Sequence, residues 1–258
     1  MQHQQRIQHE FKKQAAGFAQ SDLTLNRGEY INWILTSLQL RPDARVLDVA
    51  AGTGILSRAM APYVHEVIAV DITEEMIQEG MRQNEQSGTT NISYRQADVA
   101  SLPFDEGTFD VVVCRFAFHH FTDPVLVLGE MARVCKPSGQ VAVVDMISSE
   151  EPQLYERYNH YERLRDPSHT FCPRPTELAG WFAEHGMQVS VAEHVRVDVN
   201  VAAWLTLTQT PSNVRSQIEQ AIRNELAHGG PVTGMEPFQQ DDVLMFKQHW
   251  TKMMAVKP

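Results

Sequence analysis

The sequence predicts an α/β protein in which helices cover both faces of a mostly parallel, seven-stranded sheet. Three observations support this fold. Short runs rich in Val and Ile alternate with longer amphipathic segments, which is typical of βαβ units. A glycine-containing loop follows the first of these runs, and acidic residues follow three successive runs. Hydrophobic residues make up 43% of the 258 residues, which is enough for a full core.

The first half of the chain is expected to contain five strands and three helices in alternation. The strands are nearly continuous in hydrophobicity, as strands covered on both faces should be. A Thr that can cap a helix opens the second helix, and the segment Lys136-Pro137-Ser138-Gly139 predicts a helix stop followed by a turn. The predicted strands are 45–50, 66–71, 91–96, 109–115 and 140–146, and the predicted helices are 55–63, 73–87 and 123–135.

The second half adds further helices and two strands to the same sheet. Helices are predicted at 150–165 and 175–185, and the segment 201–227 is predicted to be mostly helical. Strands are predicted at 187–197 and 243–254. Since no linker requires a second domain, we expect one domain over residues 1–258, with a Rossmann-like, doubly wound sheet.

Composition and charge limit the classes of function. The formal net charge is −10, so the chain lacks the basic surface expected of a nucleic-acid-binding protein. The three cysteines, Cys114, Cys135 and Cys172, form no CxxC pair, and we expect reduced thiols, a cytoplasmic location and no metal site. The N-terminus is too polar for a signal peptide, and the apolar runs are too short to span a membrane.

The loop 50–54 joins the first strand to the first helix of the alternating pattern. Gly52 and Gly54 lack a Cβ, so a ligand can approach the backbone, and the helix start offers N–H groups to a phosphate or carboxylate. The third position of a dinucleotide-type GxGxxG is Ser57 rather than Gly. Asp48, inside the strand end, requires a partner such as a loop N–H or an ammonium group. A tight turn with nothing bound is the alternative.

Two more acids follow the next two strands. Asp71 ends the second strand and can accept hydrogen bonds from two ribose hydroxyls, or it can cap the helix that follows. Asp98 comes just after the third strand and can accept from an adenine amino group, or it too can be a cap. Together with Asp48, these acids lie at the carboxyl ends of three successive strands, which favours a shared ligand over independent caps.

With these residues, the chain resembles the class I S-adenosylmethionine-dependent methyltransferases, in particular the branch around the ubiquinone/menaquinone biosynthesis C-methyltransferases. A group of bacterial relatives also shares Cys114–Phe121 and Leu164–His169. Ala50 stands where the family usually has Gly, and the quinone enzymes lack the His pair, which argues against a quinone substrate. The resemblance covers about residues 43–148 and rests on Val46–Gly54, Val70-Asp71, Ala97-Asp98-Val99, Leu102–Asp110 and Lys136–Gly139.

The resemblance implies S-adenosylmethionine as the cofactor and S-adenosylhomocysteine as the product. It also implies an N-terminal helical lid in residues 1–42, a cofactor-binding half in 43–148, and substrate-side insertions with the last strands in 149–258. Phe11, Gln14, Ala15 and Phe18 would belong to the lid. The cofactor-binding residues implied are Phe18, Asp48, Ala50, Gly52, Thr53, Gly54, Asp71, Ile72, Asp98, Val99, Arg115 and Phe116.

Methyl transfer is an in-line displacement in which the enzyme positions the nucleophile and can remove a proton. His119 and His120 follow the fourth strand and are the candidate bases, with helix capping or core packing as the alternative. Arg165, Asp166 and His169 are expected on the substrate side, unless they only build a hydrogen-bonded loop.

The expected function is methylation, at carbon or oxygen, of a small aromatic or apolar acceptor. The alternatives are a non-catalytic S-adenosylmethionine-binding protein and an NAD-dependent oxidoreductase.

Overall fold

The structure, a computed structural model, describes residues 3–18, 26–230 and 232–258, with side chains from residue 3 to 14 in the first range. Short 3-10 turns lie at Ala61–Tyr63 and Phe118–His120. The helices in the described ranges are α1 (His3–Phe18), α2 (Gly28–Leu35), α3 (Ile55–Met60), α4 (Glu74–Ser87), α5 (Pro124–Val134), α6 (Pro152–Arg165), α7 (Pro175–Glu184), α8 (Val201–Leu207) and α9 (Ser212–His228). The strands are β1 (Arg45–Val49), β2 (Glu66–Asp71), β3 (Ile92–Gln96), β4 (Phe109–Arg115), β5 (Cys135–Met146), β6 (Gln188–Asn200), β7 (Pro237–Gln240) and β8 (Val243–Val256).

The strands form one sheet in the order β3-β2-β1-β4-β5-β8-β6, with the short β7 paired to β8. The pairs from β3 to β5 are parallel, and β8 runs antiparallel to both β5 and β6. The predicted mostly parallel sheet of seven strands is therefore confirmed, with β7 as an addition. The strand order reverses between β1 and β4, and in such sheets ligands bind beyond the carboxyl ends of the strands at this point.

Helices cover both faces of the parallel strands. Alternate residues of a strand point to opposite faces, so neighbouring valines and leucines enter different cores. Val46 and Val111 belong to the core with Ile34 of α2, whereas Leu47 belongs to the opposite core with Leu128 of α5. This two-sided burial explains the uninterrupted apolar runs inside these strands, Val46-Leu47 in β1 and Val111–Cys114 in β4.

A third hydrophobic core lies in the C-terminal half. It joins Tyr158 of α6, Leu205 of α8 and Ile222 of α9 to Trp250 of β8. Met146, at the end of β5, belongs to the same core. The C-terminal helices therefore pack against the carboxyl end of the sheet, beside the point where the strand order reverses.

Several predicted elements differ from the observed ones by a few residues at their ends. The segment 201–227 is mostly helical, as predicted, and it is interrupted between α8 and α9 because Pro211 lacks an N–H and disfavours a helical conformation at the residue before it. The predicted strand 187–197 runs on to Asn200, which pairs with Met245 of β8. Among the described residues, no helix is both long enough and apolar enough to cross a bilayer.

The predicted helix stop before Lys136 is confirmed, since α5 ends at Val134, but the predicted turn at 136–139 is wrong, because this segment is a bulge inside β5. Cys135 pairs with Phe109 and Gln140 pairs with Val111, so four residues of β5 lie between two pairs that are only two residues apart on β4. Gly139 is buried in the bulge, where an added Cβ would lie 2.9 Å from the carbonyl oxygen of Asp110.

We expect Gly139→Ala to lower the free energy of unfolding by about 1–3 kcal/mol, because the new methyl group overlaps backbone atoms that cannot move freely. Gly180→Ala is the matched control. Gly180 is exposed in α7 with open space around it, so alanine should raise stability by about 0.5–1 kcal/mol. Urea unfolding of both variants measures the free energies of unfolding. Equal changes in the two variants would contradict the close packing described at Gly139.

Candidate functional site

A cavity of about 200 Å³ lies beyond the carboxyl ends of β1, β2, β3 and β4, at the strand-order reversal. The helix α1 covers it and contributes His3, Gln4, Ile7 and Phe11 to its wall. The wall includes nine of the residues named from the sequence, namely Phe11, Ala50, Gly52, Asp71, Ile72, Asp98, Val99, Phe116 and His120.

Other residues named from the sequence are not part of this wall. Gln14 is buried on α1 without lining the cavity. The side chains of Ala15 and Phe18 lie outside the described residues. The remaining named residues that do not line the cavity are Asp48, Thr53, Gly54, Arg115, His119, Arg165, Asp166 and His169.

The loop after β1 has two residues with left-handed backbone that line the cavity. Gly52 has φ +56°, and a Cβ added there would meet nothing within 4 Å. Ala50 has φ +54°, a conformation that a residue with a Cβ adopts at a cost. The family's usual glycine at this position therefore has a physical reason in this backbone.

Gly54 faces away from the cavity and packs on Tyr94 of β3. A Cβ at Gly54 would lie 2.1 Å from the Tyr94 hydroxyl oxygen, and one at Gly80 of α4 would lie 2.5 Å from it. The Tyr94 hydroxyl donates to the carbonyl oxygen of Thr53 at 3.2 Å, and Arg58 Nη1 donates to the same oxygen at 2.6 Å. Tyr94 and Arg58 thus support the loop from below, a role that the sequence did not indicate.

Asp48 is buried behind the loop, and its partner is a side chain of α3. The Ser57 hydroxyl donates to Asp48 Oδ2 at 2.6 Å. Ser57 stands where a dinucleotide fold would have its third glycine. Burial raises the pKa of Asp48 to about 6, although the bond from Ser57 opposes the shift.

Asp71 joins the loop to the start of α4. The Gly52 N–H donates to Asp71 Oδ2 at 2.7 Å, and the Thr73 N–H donates to Oδ1 at 2.8 Å. Burial raises the pKa of the Asp71 carboxyl. Each oxygen keeps lone-pair capacity for a further donor on the cavity side. The alternative interpretation from the sequence, a cap of α4, is wrong, because Asp71 accepts from the N–H of Thr73, which is itself the N-cap residue. The role of Asp71 as a ligand acceptor stays a prediction with which this geometry is compatible.

The covering helix α1 binds groups that line the same end of the cavity. Gln4 Nε2 donates to Asp98 Oδ2 at 2.5 Å, and Gln8 Nε2 donates to the carbonyl oxygen of Ile72 at 3.1 Å. The Ala100 N–H donates to the other Asp98 oxygen at 2.9 Å. Side chains on the inner surface of α1 therefore donate hydrogen bonds to acceptors of residues that line the cavity.

The segment after β4 turns sharply and brings the His pair to the cavity. Phe116 has φ +53°, and the Phe118 N–H donates to Asp145 Oδ2 at 2.7 Å. His119 Nδ1 lies 2.6 Å from Asp145 Oδ1, so this buried carboxylate at the end of β5 holds the turn from behind. His120 is on the cavity side. Asp145 was missed, although an acid at the end of the fifth strand was visible in the sequence.

His120 is enclosed on several sides. The Phe11 ring packs edge to face on it with centroids 4.9 Å apart, and His120 Nδ1 lies 3.1 Å from the Ser168 carbonyl oxygen. Burial, with the neighbouring His119 next in weight, lowers the pKa of His120 to about 4. Its ring is therefore neutral near pH 7.

Arg115 lies beside this turn. Its guanidinium is 4.9 Å from the Phe116 ring centre, and burial lowers its pKa to about 10, opposed by the charge of Asp48.

The residues expected on the substrate side form a buried polar network next to the cavity. Arg165 stacks over the Trp204 ring at 4.8 Å, and its Nε lies 3.6 Å from Glu162 Oε2. His169 Nε2 lies 3.1 Å from Asn159 Oδ1. Asp166 Oδ1 accepts from the Ser168 hydroxyl at 2.6 Å. Across the described ranges, no group of three or more His, Cys, Asp or Glu residues is placed to hold a metal ion.

Comparison with known proteins gives one consistent family. A model described as "Methyltransferase domain" matches residues 47–143. The uncharacterized methyltransferase YcgJ of Bacillus subtilis is 34% identical over 194 residues, which cover 74% of this chain and 76% of that relative. The ubiquinone/menaquinone biosynthesis C-methyltransferase UbiE of Ectopseudomonas mendocina is 34% identical over 158 residues, covering 58% of this chain and 62% of that relative.

Solved structures agree with these matches. The crystal structure of YcgJ superimposes with a TM-score of 0.80 at 29% identity, covering 90% of this chain and 99% of that one. The Bacillus halodurans C-125 protein BH2331 gives a TM-score of 0.82 at 26% identity, covering 90% of this chain and all of that one. With the sheet order and the cavity at its reversal point, these matches show that the chain belongs to the S-adenosylmethionine-dependent methyltransferases.

Proposed function

We propose that this methyltransferase acts on a small aromatic or apolar acceptor, which it methylates at carbon or oxygen. The observation that carries the proposal is the make-up of one cavity wall. Carboxylates of Asp71 and Asp98 stand at one end, and His120 stands at the other among apolar side chains. A polar nucleoside would need the carboxylates, and an apolar methyl acceptor would need the apolar side chains.

The residues present fit the cofactor. Asp71 would accept from the ribose hydroxyls and Asp98 from the adenine amino group, with the apolar Ile72 and Val99 alongside. The adenine amino group would take over the Asp98 oxygen that Gln4 now contacts.

The loop would hold the methionine part of the cofactor. Ala50 and Gly52 would contact it directly, and Asp48, Thr53 and Gly54 would keep the loop in shape from behind. Arg115 and Phe116 would lie near the sulfonium, and α1, with Phe18, would close over the ligand as a lid.

The other end of the cavity suits an apolar acceptor. Most of its wall there is apolar, with Phe116, Phe121, Leu126 and Val127 beside the polar Thr122 and Asp123, and Leu126 is 48% exposed although it is a large apolar residue. When bound, the cofactor supplies an activated methyl group, so the chain's own residues need only orient the acceptor, exclude water and receive its proton. We assign the proton to His120, because His119 is turned toward Asp145 behind the wall.

Two further parts of the proposal concern location and partners. Cys114, Cys135 and Cys172 are all buried and unpaired, which suits a reducing cytoplasm. The net charge of −10 and the apolar acceptor end favour a small molecule over a nucleic acid.

Calorimetry followed by a methyl-transfer assay tests the function. S-adenosylmethionine and S-adenosylhomocysteine should bind, and reduced nicotinamide dinucleotide should not. Radiolabelled methyl transfer is then measured on a panel of phenols, catechols and apolar carbon acids. Binding of the cofactor without transfer to any acceptor would instead favour a non-catalytic binding protein.

We expect Asp71→Asn to weaken binding of S-adenosylhomocysteine by about 1–3 kcal/mol, which is roughly 5- to 150-fold. The amide removes one acceptor oxygen that the ribose hydroxyls and the loop N–H groups share. Asp43→Asn, at an 83% exposed side chain before β1, is the control and should leave the affinity unchanged. Calorimetry measures both; equal affinities for wild type and Asp71→Asn would remove the ribose assignment.

Asp48 should make the stability of the ligand-free protein depend on pH. Because its pKa is raised from 3.8 to about 6 on folding, its contribution is present below pH 3.8 and is lost as pH rises through about 6. In Asp48→Asn this loss should be smaller by on the order of 1–3 kcal/mol. Urea unfolding of both proteins at pH 4.5 and pH 7.5 measures the difference, and parallel pH dependences would contradict it.

Substitutions at the two histidines should affect different measurements, methyl transfer for His120 and stability for His119. His120→Gln should lower methyl transfer by about 100-fold or more, the usual contribution of a positioned base, while the affinity for S-adenosylhomocysteine stays the same. His119→Ala should lower the free energy of unfolding by about 1–3 kcal/mol, because Asp145 loses a donor. Full activity of His120→Gln on the identified acceptor would exclude His120 as the base.

A further inference from the structure

The hydrogen bonds around His120 determine which of its ring nitrogens carries the proton. His120 Nδ1 lies 3.1 Å from the carbonyl oxygen of Ser168 and 3.2 Å from the Ser168 hydroxyl oxygen. A carbonyl oxygen can only accept. The contact with the carbonyl therefore requires a proton on Nδ1. The contact with the hydroxyl requires the same proton only if the hydroxyl donates its own proton to another group.

The Ser168 hydroxyl proton is already committed to Asp166. Ser168 Oγ donates to Asp166 Oδ1 at 2.6 Å, and the Ser168 N–H donates to the same carboxylate oxygen at 2.9 Å. Toward His120, Ser168 can offer only lone pairs. Nδ1 of His120 must then be the donor, which leaves the lone pair on Nε2.

Asp166 is held in the charged form that this arrangement needs. Burial alone would raise its pKa, but the charge of a protonated His120, the charge of Arg165 and the Ser168 bonds together keep the pKa of Asp166 below its ordinary value. Near pH 7, where His120 is neutral, Arg165 and the Ser168 bonds still stabilise the carboxylate. Arg165 Nη2 lies 3.9 Å from Asp166 Oδ2. The side chain of Asp166 is 3% exposed and does not line the cavity, so its hydrogen-bonded connection to His120 runs through Ser168.

The other buried histidines do not have this position. His119 pairs with Asp145 behind the turn, and His169 pairs with Asn159 of α6. Neither ring lines the cavity, whereas His120 does. Of the three, His120 therefore combines a fixed tautomer with access to the acceptor end.

We propose that Asp166, acting through Ser168, is the positioning residue for His120, and that the methyl acceptor presents an O–H or N–H group to His120 Nε2. This inference rests on the proposed function. It narrows the methyl acceptor to molecules that carry a proton either on the heteroatom that is methylated or on a heteroatom conjugated with the methylated atom. Since Nε2 carries only a lone pair near pH 7, a ligand group without a donor hydrogen would leave it unsatisfied.

The acceptor proton would move to His120 Nε2 while the acceptor's electron pair forms the bond to the methyl carbon. The bound cofactor would supply that methyl group and keep the electrons of the broken carbon–sulfur bond as a neutral thioether. His120 becomes an imidazolium, whose Nδ1–H remains bonded to Ser168 and whose charge faces Asp166. The proton passes to solvent after the product leaves.

Nuclear magnetic resonance of ¹⁵N-histidine-labelled protein, saturated with S-adenosylhomocysteine at pH 7, tests the arrangement without any acceptor. The His120 signals are assigned by their absence in His120→Gln. We expect the neutral Nδ1–H tautomer in the wild type, with a downfield Nδ1 proton. In Ser168→Ala and in Asp166→Asn this proton should move upfield, while Asp43→Asn leaves it in place.

Calorimetry on the same samples separates this inference from the proposed function. Asp166→Asn should bind S-adenosylhomocysteine as the wild type does, because Asp166 lies outside the cavity wall. With an acceptor from the assay panel, the kcat of Asp166→Asn should fall about 10-fold or more at unchanged KM. The reason is that Asp166 supports only a part of what His120 contributes as a positioned base. An Nε2–H tautomer in the wild type, or an unmoved Nδ1 proton in both variants, would overturn the inference even if methyl transfer is established.

Discussion

Burial of the parallel strands on both faces is the constraint on which the rest of this structure depends. With helices on both sides, the buried positions of β1 and β4 take apolar side chains, and a polar one there, Asp48, needs the Ser57 hydroxyl as its partner. Polar side chains are therefore concentrated where the strands end. The reversal of strand order between β1 and β4 then opens a cavity at that edge, and Asp71, Asp98 and His120 all reach it.

Buried carboxylates in this region are satisfied mainly by neutral donors. Asp48 takes a serine hydroxyl, Asp71 takes two backbone N–H groups, and Asp145 takes a backbone N–H and a histidine. Neutral donors stabilise the carboxylates without cancelling their charge. The surroundings of the cavity are consequently rich in negative charge, which is favourable for a ligand that carries a positive sulfonium and is less so for the neutral thioether left after transfer.

The sequence was sufficient for those features that depend on residues close together in the chain. An acid directly after a strand predicted Asp71 and Asp98 in the cavity wall, and alternating apolar runs predicted the sheet.

What could not be predicted depends on contacts between distant residues. Ser168 is 48 positions from His120, and Asp145 is 26 from His119, so nothing local indicates either pair. The bulge at 136–139 likewise reflects the register with β4 rather than local preference. For the same reason the sequence could not separate the roles of His119 and His120, which are adjacent in the chain and lie on opposite sides of one turn.

The position of the Tyr94 hydroxyl has a consequence for how this family can diverge. One phenol oxygen fills the space that a methyl group at either Gly54 or Gly80 would need, although these glycines lie in different elements. Substitution at the three positions is therefore not independent. A relative with alanine at either glycine position should carry a smaller residue than tyrosine at position 94, and it must then support the Thr53 carbonyl in another way. The three positions are expected to covary in evolution even though only a side chain from the third strand connects them.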